Sequence, residues 1–126
     1  MDDDVRDALD RGRPLIDITT TGRQTGKPRR IEIVFHRIDG RYYISGSPVV
    51  ERTRAWLRNL EADPHFTFHL KGRATADLPA TARIITDEAE RRALFTEIVK
   101  TWTNQEVETM TLYAPLIEVT FEGEAA

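Results

Sequence analysis

A short run of glycines and cations contains the side chains best suited to chemistry. In order, the residues are Gly22, Arg23, Gln24, Thr25, Gly26, Lys27, Pro28, Arg29 and Arg30. Glycine permits positive φ and exposes backbone N–H groups, and consecutive N–H groups in a turn can form a nest for an anion. Arginine and lysine add charge-assisted hydrogen bonds to phosphate or carboxylate. The run therefore indicates an oxyanion site, although an ordinary solvated turn uses the same residue types.

The same run is not a P-loop. From Gly22 to Lys27 the glycine spacing is one residue short of the P-loop pattern, and Pro28 stands where serine or threonine would bind magnesium. A strand is predicted after the run, so a bound phosphate would lack the N-terminus of a helix.

The three histidines predict no metal site. His65 and His69 stand four residues apart, but the surrounding pattern is that of a strand, where four residues separate the Cα atoms by ~13 Å. His36 is predicted on the polar face of a strand. There it is either a proton donor for a substrate or a plain surface or barrel-lining histidine.

Nucleophilic and hydrolytic chemistry lacks its usual groups in this sequence. Cysteine is absent, which removes thiol nucleophiles, thiolate metal sites and disulfides. Ser45-Gly46-Ser47 follows a strand, but the sequence shows no histidine partner for these serines and no Gly-x-Ser-x-Gly elbow. We therefore expect a protein that positions a cofactor and leaves the difficult step to it.

The elements that must position these residues are mostly strands. Alternating apolar and polar residues predict six of them, at Leu15–Thr21, Arg29–Ile38, Arg41–Gly46, His65–Leu70, Ala74–Ile85 and Leu116–Glu122. Asp39-Gly40 is a strong signal for a hairpin turn. Pro79 predicts an edge, a bulge or a break in the fifth strand.

Two helices are predicted beside the strands, with Ser47 and Thr86 as their N-caps. Their apolar faces are Thr53, Trp56, Leu57 and Leu60 in the first helix, and Phe95, Ile98, Val99 and Trp102 in the second. Residues 1–13 form a charged N-terminal extension, where Val5 and Leu9 predict a short helix. Residues 103–111 are polar, have no clear period and are compatible with a short helix. The fold class is mainly β, a β-barrel of about six antiparallel strands with flanking helices.

Length and composition indicate a single domain, residues 1–126. The net charge of −3 argues against a dedicated nucleic-acid binder. No apolar run approaches the ~20 residues of a membrane-spanning helix, and the acidic N-terminus has no apolar signal region. We expect a cytoplasmic protein with a small-molecule partner, no nucleic-acid partner and no transmembrane segment.

Four motifs in sequence order resemble the deazaflavin (F-420)-dependent nitroreductase and quinone reductase family of split β-barrel oxidoreductases. The motifs are Thr20–Arg30, Ile31–Ile33, Asp39–Ser47 and Arg54–Pro64. The resemblance implies an FMN-binding-like split β-barrel that binds the deazaflavin coenzyme F-420. It also implies an oxidoreductase that transfers hydride from the reduced coenzyme to a small oxidised or unsaturated acceptor of nitro, quinone or enone type.

The resemblance further implies roles for individual residues. The phosphate or acidic tail of F-420 would contact Arg23, Thr25, Gly26, Lys27 and Arg29. The ring or its side chain would lie near Ser45, Gly46, Ser47, Trp56 and Asn59. Trp56 is equally compatible with ordinary core packing, and Asn59 with hydrogen bonds to nearby backbone. Aromatic type and position in the chain suggest an acceptor pocket of Tyr43, Trp102 and Tyr113.

The sequence departs from better-studied members of the family at several positions, and these departures bear on the acceptor more than on cofactor binding. Gln24 stands where many relatives are basic, a shorter segment follows Ser47, and the C-terminal tyrosine cluster is reduced to Tyr113. Two alternatives stay open on the same fold: an FMN-binding oxidoreductase, and a non-catalytic carrier of a cofactor or a lipid-like ligand. A homodimer is a further expectation, because split barrels often dimerise.

Overall fold

Six antiparallel strands form one closed barrel in the computed structural model, which describes residues 3–10, 15–49, 54–72 and 74–123. The strands are β1 (Leu15–Thr21), β2 (Pro28–Ile38), β3 (Arg41–Ser45), β4 (His65–Leu70), β5 (Ala76–Ile84) and β6 (Leu116–Phe121). The helices are α1 (Asp3–Asp10), α2 (Ala55–Ala62), α3 (Glu88–Ile98) and α4 (Val107–Tyr113). Around the barrel the order is β1-β2-β3-β6-β5-β4. The predicted barrel of about six antiparallel strands with flanking helices is confirmed.

Alternation along β2 decides which side chains face the barrel interior. Ile33 and Phe35 are buried in the inner core, and Phe35 stands opposite Ile44 of β3. His36 is the next residue along the strand, so it faces outward, and it stands opposite Tyr43. The barrel therefore has a filled apolar interior, and any ligand site must lie on its outside or at its ends.

The Asp39-Gly40 turn sets the register of β2 and β3. The two residues have φ of 51° and 75°, as a two-residue hairpin turn with both central residues at positive φ requires. Ile38 consequently pairs with Arg41, and the pairing continues residue by residue along both strands. The predicted turn is confirmed.

Pro79 lies inside β5 without interrupting it. It stands opposite Thr67 of β4, and its carbonyl accepts a hydrogen bond from the N–H of Glu122 at 2.9 Å. Because β5 pairs with β4 in continuous register, the predicted bulge or break is wrong. The register with β6 begins at Ala80, so Pro79 lies where that pairing ends. Proline has no N–H to donate but keeps its carbonyl acceptor, and at this position the strand uses only the carbonyl, for the bond from Glu122.

The helix α1 closes one end of the barrel. Val5 and Leu9 are buried in the inner core, as their spacing predicts. Asp10 accepts a hydrogen bond from the hydroxyl of Tyr42 at 2.7 Å and forms an ion pair with Arg37 at 3.2 Å. These contacts place the C-terminus of α1 beside the β2–β3 turn.

The helix α2 begins later than the sequence predicts. We expected it to start after Ser47 as its cap, whereas it starts at Ala55, and the Arg54 cap makes no side-chain capping bond. The reason is that Nη2 of Arg54 donates to the carbonyls of Ser47 and Val49, which hold residues 47–49 outside regular structure. Thr53, expected on the apolar face, lies outside the described residues.

The helices α3 and α4 cover the outside of the barrel with a second apolar cluster. Phe95 and Ile98 of α3 pack there with Met110 of α4, Tyr43 of β3 and Leu116 of β6. Residues 103–111, which showed no clear period, contain the start of α4. No helix in the described ranges is long and apolar enough to cross a membrane.

The N-cap of α3 is Asp87 and not the predicted Thr86. A carboxylate oxygen of Asp87 accepts a hydrogen bond from the N–H of Glu90 at 2.9 Å. A cap accepts from the N–H two or three residues later, and here the aspartate stands three residues before Glu90. The error is one residue and leaves the helix in its predicted place.

Candidate functional site

The loop between β1 and β2 is closed by its own hydrogen bonds. The N–H of Gly22 donates to the Lys27 carbonyl at 2.8 Å, and the N–H of Gly26 donates to the Gly22 carbonyl at 2.8 Å. The N–H of Lys27 donates to Thr25 Oγ1 at 3.2 Å. Gly26 has φ of 69°, a conformation that favours glycine. The N–H groups of Gly22, Gly26 and Lys27 are therefore not free to form the expected nest, and an anion at this loop would rely on side chains and on the remaining N–H groups.

The cations of the loop differ in whether they are already paired. Arg30 donates from Nε to the carboxylate of Asp17 at 2.9 Å, which commits its charge to β1. Lys27 and Arg29 are exposed, and no carboxylate among the described residues lies within ion-pair distance of either side chain. Lys27 and Arg29 are therefore available to an anion from solution.

The helix α2 holds the loop in place through Asn59. This side chain is buried, and its Oδ1 accepts hydrogen bonds from the N–H of Arg23 at 3.1 Å and from Nη1 of Arg23 at 3.5 Å. Its Nδ2 donates to Thr20 Oγ1 at 3.0 Å. Of the two roles expected for Asn59, the local hydrogen bonds are the ones present. Through them the amide orients Arg23.

Gly46 directly follows β3 and lies close to Trp56 of α2 and to Pro115, the residue before β6. Its N–H donates to the Pro115 carbonyl at 3.3 Å. A Cβ at this position would lie 2.9 Å from Pro115 Cγ and 3.7 Å from Trp56 Cζ2, so a larger residue would force the proline ring to move. Trp56 itself packs against the inner core while remaining partly exposed. Both expected roles of Trp56, ring wall and core, are compatible with that position.

A buried hydrogen bond joins His36 to Ser45. Nε2 of the ring lies 2.7 Å from Ser45 Oγ, and burial lowers the pKa of His36 to about 4, so the imidazole is neutral at pH 7. The expectation that Ser45 has no histidine partner is wrong. The sequence contained the signal, because the Asp39-Gly40 turn fixes a register in which positions 36 and 45 are diagonal neighbours on one face.

A groove of about 820 Å³ opens on the outside of β2 beside His36. The ring of Trp102 lies 5.9 Å from the imidazole, centre to centre, at an angle of 31°. The aliphatic side chains that line it are Leu15, Val34, Ile38 and Ile98. Several rim charges are paired with each other, as in the 2.9 Å contact of Lys100 with Glu97. An apolar wall with a neutral imidazole suits a flat, uncharged molecule.

The predicted acceptor residues do not meet in this groove. Trp102 lines it. Tyr43 is buried in the outer cluster, where burial raises the pKa of its phenol, and Tyr113 is 48% exposed at the end of α4. The pocket of three aromatic residues stays a prediction, and Trp102 is its only member at the groove.

The other two histidines are held by acidic partners. Nε2 of His69 lies 2.6 Å from Thr19 Oγ1, and its Nδ1 lies 2.7 Å from Asp77 Oδ1. His65 contacts the carboxylate of Glu122 at 3.1 Å. In the described ranges, no group of three or more histidine, aspartate and glutamate side chains could hold a metal ion.

The residues expected at the cofactor form a connected path and not one cluster. From the loop, the path runs through Arg23, Asn59, Trp56, Gly46 and Ser45. Trp56 and Asn59 are neighbours because three residues separate them on α2. The path ends at His36, which is bonded to Ser45 and lines the groove.

Comparison with known proteins adds independent information. The sequence model of the F-420H(2)-dependent quinone reductase family matches residues 5–120. A solved structure described as an F-420-H2 dependent reductase, FDR-A, is 25% identical, with a TM-score of 0.64, and the match covers 86% of this chain and 95% of that chain.

Two further structures share the fold. One, described as a domain-swapped dimer, is 23% identical with a TM-score of 0.64, and the match covers 93% of this chain and 94% of that one. The other comes from Clostridium acetobutylicum and is described as a member of the pyridoxinephosphate oxidase family. It is 14% identical, with a TM-score of 0.70, and the match covers 94% of this chain and 82% of that one.

Proposed function

Because the chain belongs to the F-420H(2)-dependent quinone reductase family and is an F-420-dependent oxidoreductase, we propose that it reduces a small quinone at the groove beside His36. The observation that carries this proposal is the path from two unpaired cations, Lys27 and Arg29, to an apolar groove. When bound, the cofactor supplies a hydride. The protein supplies binding and orientation.

Each part of the path has a proposed task. Lys27 and Arg29 bind the phosphate or the acidic tail of the cofactor by charge-assisted hydrogen bonds. Asn59 fixes the direction of Arg23 toward the same anion. The absence of a side chain at Gly46 leaves the close approach of Pro115 and Trp56 intact. These features fit an elongated, anionic cofactor whose ring lies near Ser45.

A fluorescence titration with F-420, run beside FMN at low and moderate salt, tests the proposal. Lys27→Ala and Arg29→Ala should each weaken F-420 binding by about 10-fold or more, and the loss should shrink as salt screens the charges. Arg92→Ala is the matched control. It removes one positive charge from α3, where Arg92 already contacts Glu88 and Glu108. Unchanged affinity in both loop variants would show that the anion site lies elsewhere.

The same titration separates the two alternatives. Preference for FMN would place the protein with the flavin-binding members of this fold. A carrier would bind the reduced cofactor without ever oxidising it, whichever quinone, nitro compound or enone is added. Oxidation of the reduced cofactor, followed by its absorbance, therefore excludes the carrier and ranks the three acceptor types.

Association of two copies and a cytoplasmic location are further parts of the proposal. Leu112 and Tyr113 are neighbouring exposed side chains at the end of α4, at 54% and 48% exposure, and suit a contact between copies. Light scattering of the wild type and of Leu112→Glu tests the contact: the charge should lower the observed mass. Fractionation of cells with an antibody to the chain tests the location.

A further inference from the structure

One ring nitrogen of His36 is left without a partner. Nε2 is bonded to Ser45, and no described residue hydrogen-bonds Nδ1. In the described ranges, the only buried side-chain nitrogen or oxygen without a partner is Thr111 Oγ1. Nδ1 therefore keeps contact with solvent, although the residue as a whole is only 8% exposed. Because the ring lines the groove, the groove is where that contact occurs.

The surroundings of His36 favour a neutral ring with one hydrogen. The charged residues that line the same groove are Asp10, Arg37, Asp39, Glu97 and Lys100. No carboxylate in the described ranges contacts the imidazole, while Asp10 is bound to Arg37 and Glu97 to Lys100. A neutral imidazole carries its hydrogen on one nitrogen only. If the hydroxyl of Ser45 donates to Nε2, that hydrogen is on Nδ1 and faces the groove.

We propose that the His36–Ser45 pair is the hydrogen-bond anchor for the carbonyl oxygen of the acceptor, an inference that rests on the function proposed above. Ser45 donates to Nε2 and so fixes the tautomer, which makes Ser45 a positioning residue. Nδ1–H of His36 donates to an oxygen of a quinone that packs against Trp102. The acceptor is thus a flat aromatic or quinonoid carbonyl compound whose oxygen points at β2.

The hydrogen bond assists the reaction without a proton leaving the imidazole. A C–H bond of the reduced cofactor would break as a bond forms between its hydride and the acceptor, and an electron pair of the quinone would move onto the carbonyl oxygen. The cofactor is oxidised by two electrons and the quinone is reduced by two. Nδ1–H stabilises the negative charge that develops there. The oxygen then takes its proton from water, because a neutral imidazole is far too weak an acid to give up its hydrogen at pH 7.

The test uses the protein without cofactor and a short-chain benzoquinone as the probe. In a Trp56→Phe background, Trp102 is the one remaining tryptophan, so its quenching reports on the groove. His36→Phe keeps a flat ring and removes the donor. We expect it to raise the Kd of the quinone by about 10-fold. The infrared carbonyl stretch of the bound quinone should lie at lower frequency in the Trp56→Phe protein than in the His36→Phe variant.

A second variant keeps the test decisive if His36→Phe folds poorly. His36→Asn carries an amide N–H close to the place of Nδ1, so it should recover the lowered carbonyl frequency. Equal Kd values and equal carbonyl frequencies with histidine, asparagine and phenylalanine at position 36 would overturn the anchor. If the wild type does not bind F-420, the proposed function is contradicted. The quinone titration is made without cofactor, so its result stands separately.

The role of Ser45 needs a readout of its own. The ring nitrogen shifts of His36, measured by NMR, report which nitrogen carries the hydrogen. We expect the His36 ring of the wild type to carry its hydrogen on Nδ1, and that of Ser45→Ala to be a mixture of tautomers. Ser45→Ala should also weaken quinone binding, by a smaller factor than His36→Phe does. A wild-type ring with its hydrogen on Nε2 would refute the proposal, because Nδ1 would then be an acceptor.

Discussion

The barrel carries two buried histidines, each hydrogen-bonded to a hydroxyl on the outer surface. They differ in what contacts the second ring nitrogen. His36 meets Ser45 at 2.7 Å, and His69 meets Thr19 at 2.6 Å. The two residues are similarly buried, at 8% and 7% exposure. The second nitrogen of His69 is occupied by Asp77, whereas the second nitrogen of His36 meets no described residue and reaches the groove.

The difference shows that a histidine–hydroxyl pair can be purely structural or can leave a hydrogen-bonding group for a ligand. At His69 both ring nitrogens are satisfied by the protein itself, so the contact joins β1, β4 and β5. At His36 one nitrogen is left for a ligand. A histidine and a hydroxyl alone do not therefore indicate a reactive site. The deciding observation is whether a residue of the protein occupies the second ring nitrogen.

The largest expected effect is the acid sensitivity that His36 confers on folding. Its pKa falls from 6.5 to about 4 on folding, so the unfolded chain takes up a proton that the folded chain refuses. The stability contributed by the neutral ring is complete above pH 6.5 and is lost as pH falls toward 4. Its full size is about 3 kcal/mol. Urea unfolding of the wild type and of His36→Asn between pH 7 and 4 measures it, and parallel curves would contradict the assignment.

Replacing the closed histidine should cost stability without affecting the groove. His69→Phe leaves Thr19 Oγ1 without its partner at a partly buried position, and we expect a loss of about 1 kcal/mol in the free energy of unfolding. Quinone binding measured by Trp102 quenching should be unchanged. A drop in quinone affinity would show that the two histidines are not functionally distinct.

A substitution beside the open pair should disturb it without touching either histidine. Gly46→Ala places a Cβ 2.9 Å from Pro115 Cγ, so the ring of the proline must shift. We expect a loss of about 1 kcal/mol in stability and weaker F-420 binding. Val49→Ala, three residues away at an exposed position, is the control for a change in the same segment. Equal behaviour of the two variants would mean that the close approach at Gly46 carries no function.

The smallest effect is expected at Asp77. Its side chain is 75% exposed, and the hydrogen bond from His69 is the main reason that its pKa is lowered. A lowered carboxyl pKa stabilises the fold above the unfolded value of 3.8, and this contribution disappears as pH falls below it. Asp77→Asn should therefore lower stability at pH 7 only slightly, because the side chain is exposed, and the curves of the wild type and the variant should converge as pH falls below 3.8. A large change at pH 7 would show that Asp77 is more than a terminal partner.

Local pattern was sufficient for most of the barrel. The bounds of β1 and β4 were predicted as they are observed, because both strands alternate and are flanked by breaking residues. The start of α2 was not, although Ser47-Pro48 is a good local helix signal, because Arg54 donates to the carbonyls of Ser47 and Val49, seven and five residues earlier. These side-chain bonds overrode the local helix signal at that point.

The candidate site divides in the same way. The cations of the loop could be read from residue type, and the His36–Ser45 contact from the two-residue turn. The groove could not, because its wall depends on the segment after α3, including Trp102, lying against β2 more than sixty residues earlier in the chain. The hydrogen bonds that the loop N–H groups make within the loop could not be predicted either, since they depend on the orientation of each peptide.

The place of β6 between β3 and β5 has a consequence for biosynthesis. The last strand along the chain completes the barrel, so a nascent polypeptide carries β1 to β5 with two hydrogen-bonding edges still open. Open edges pair readily with other chains. The interval between release of β5 and delivery of β6 by the ribosome is therefore the period of greatest aggregation risk. Slow translation between the codons for residues 85 and 116 should lower the yield of folded protein.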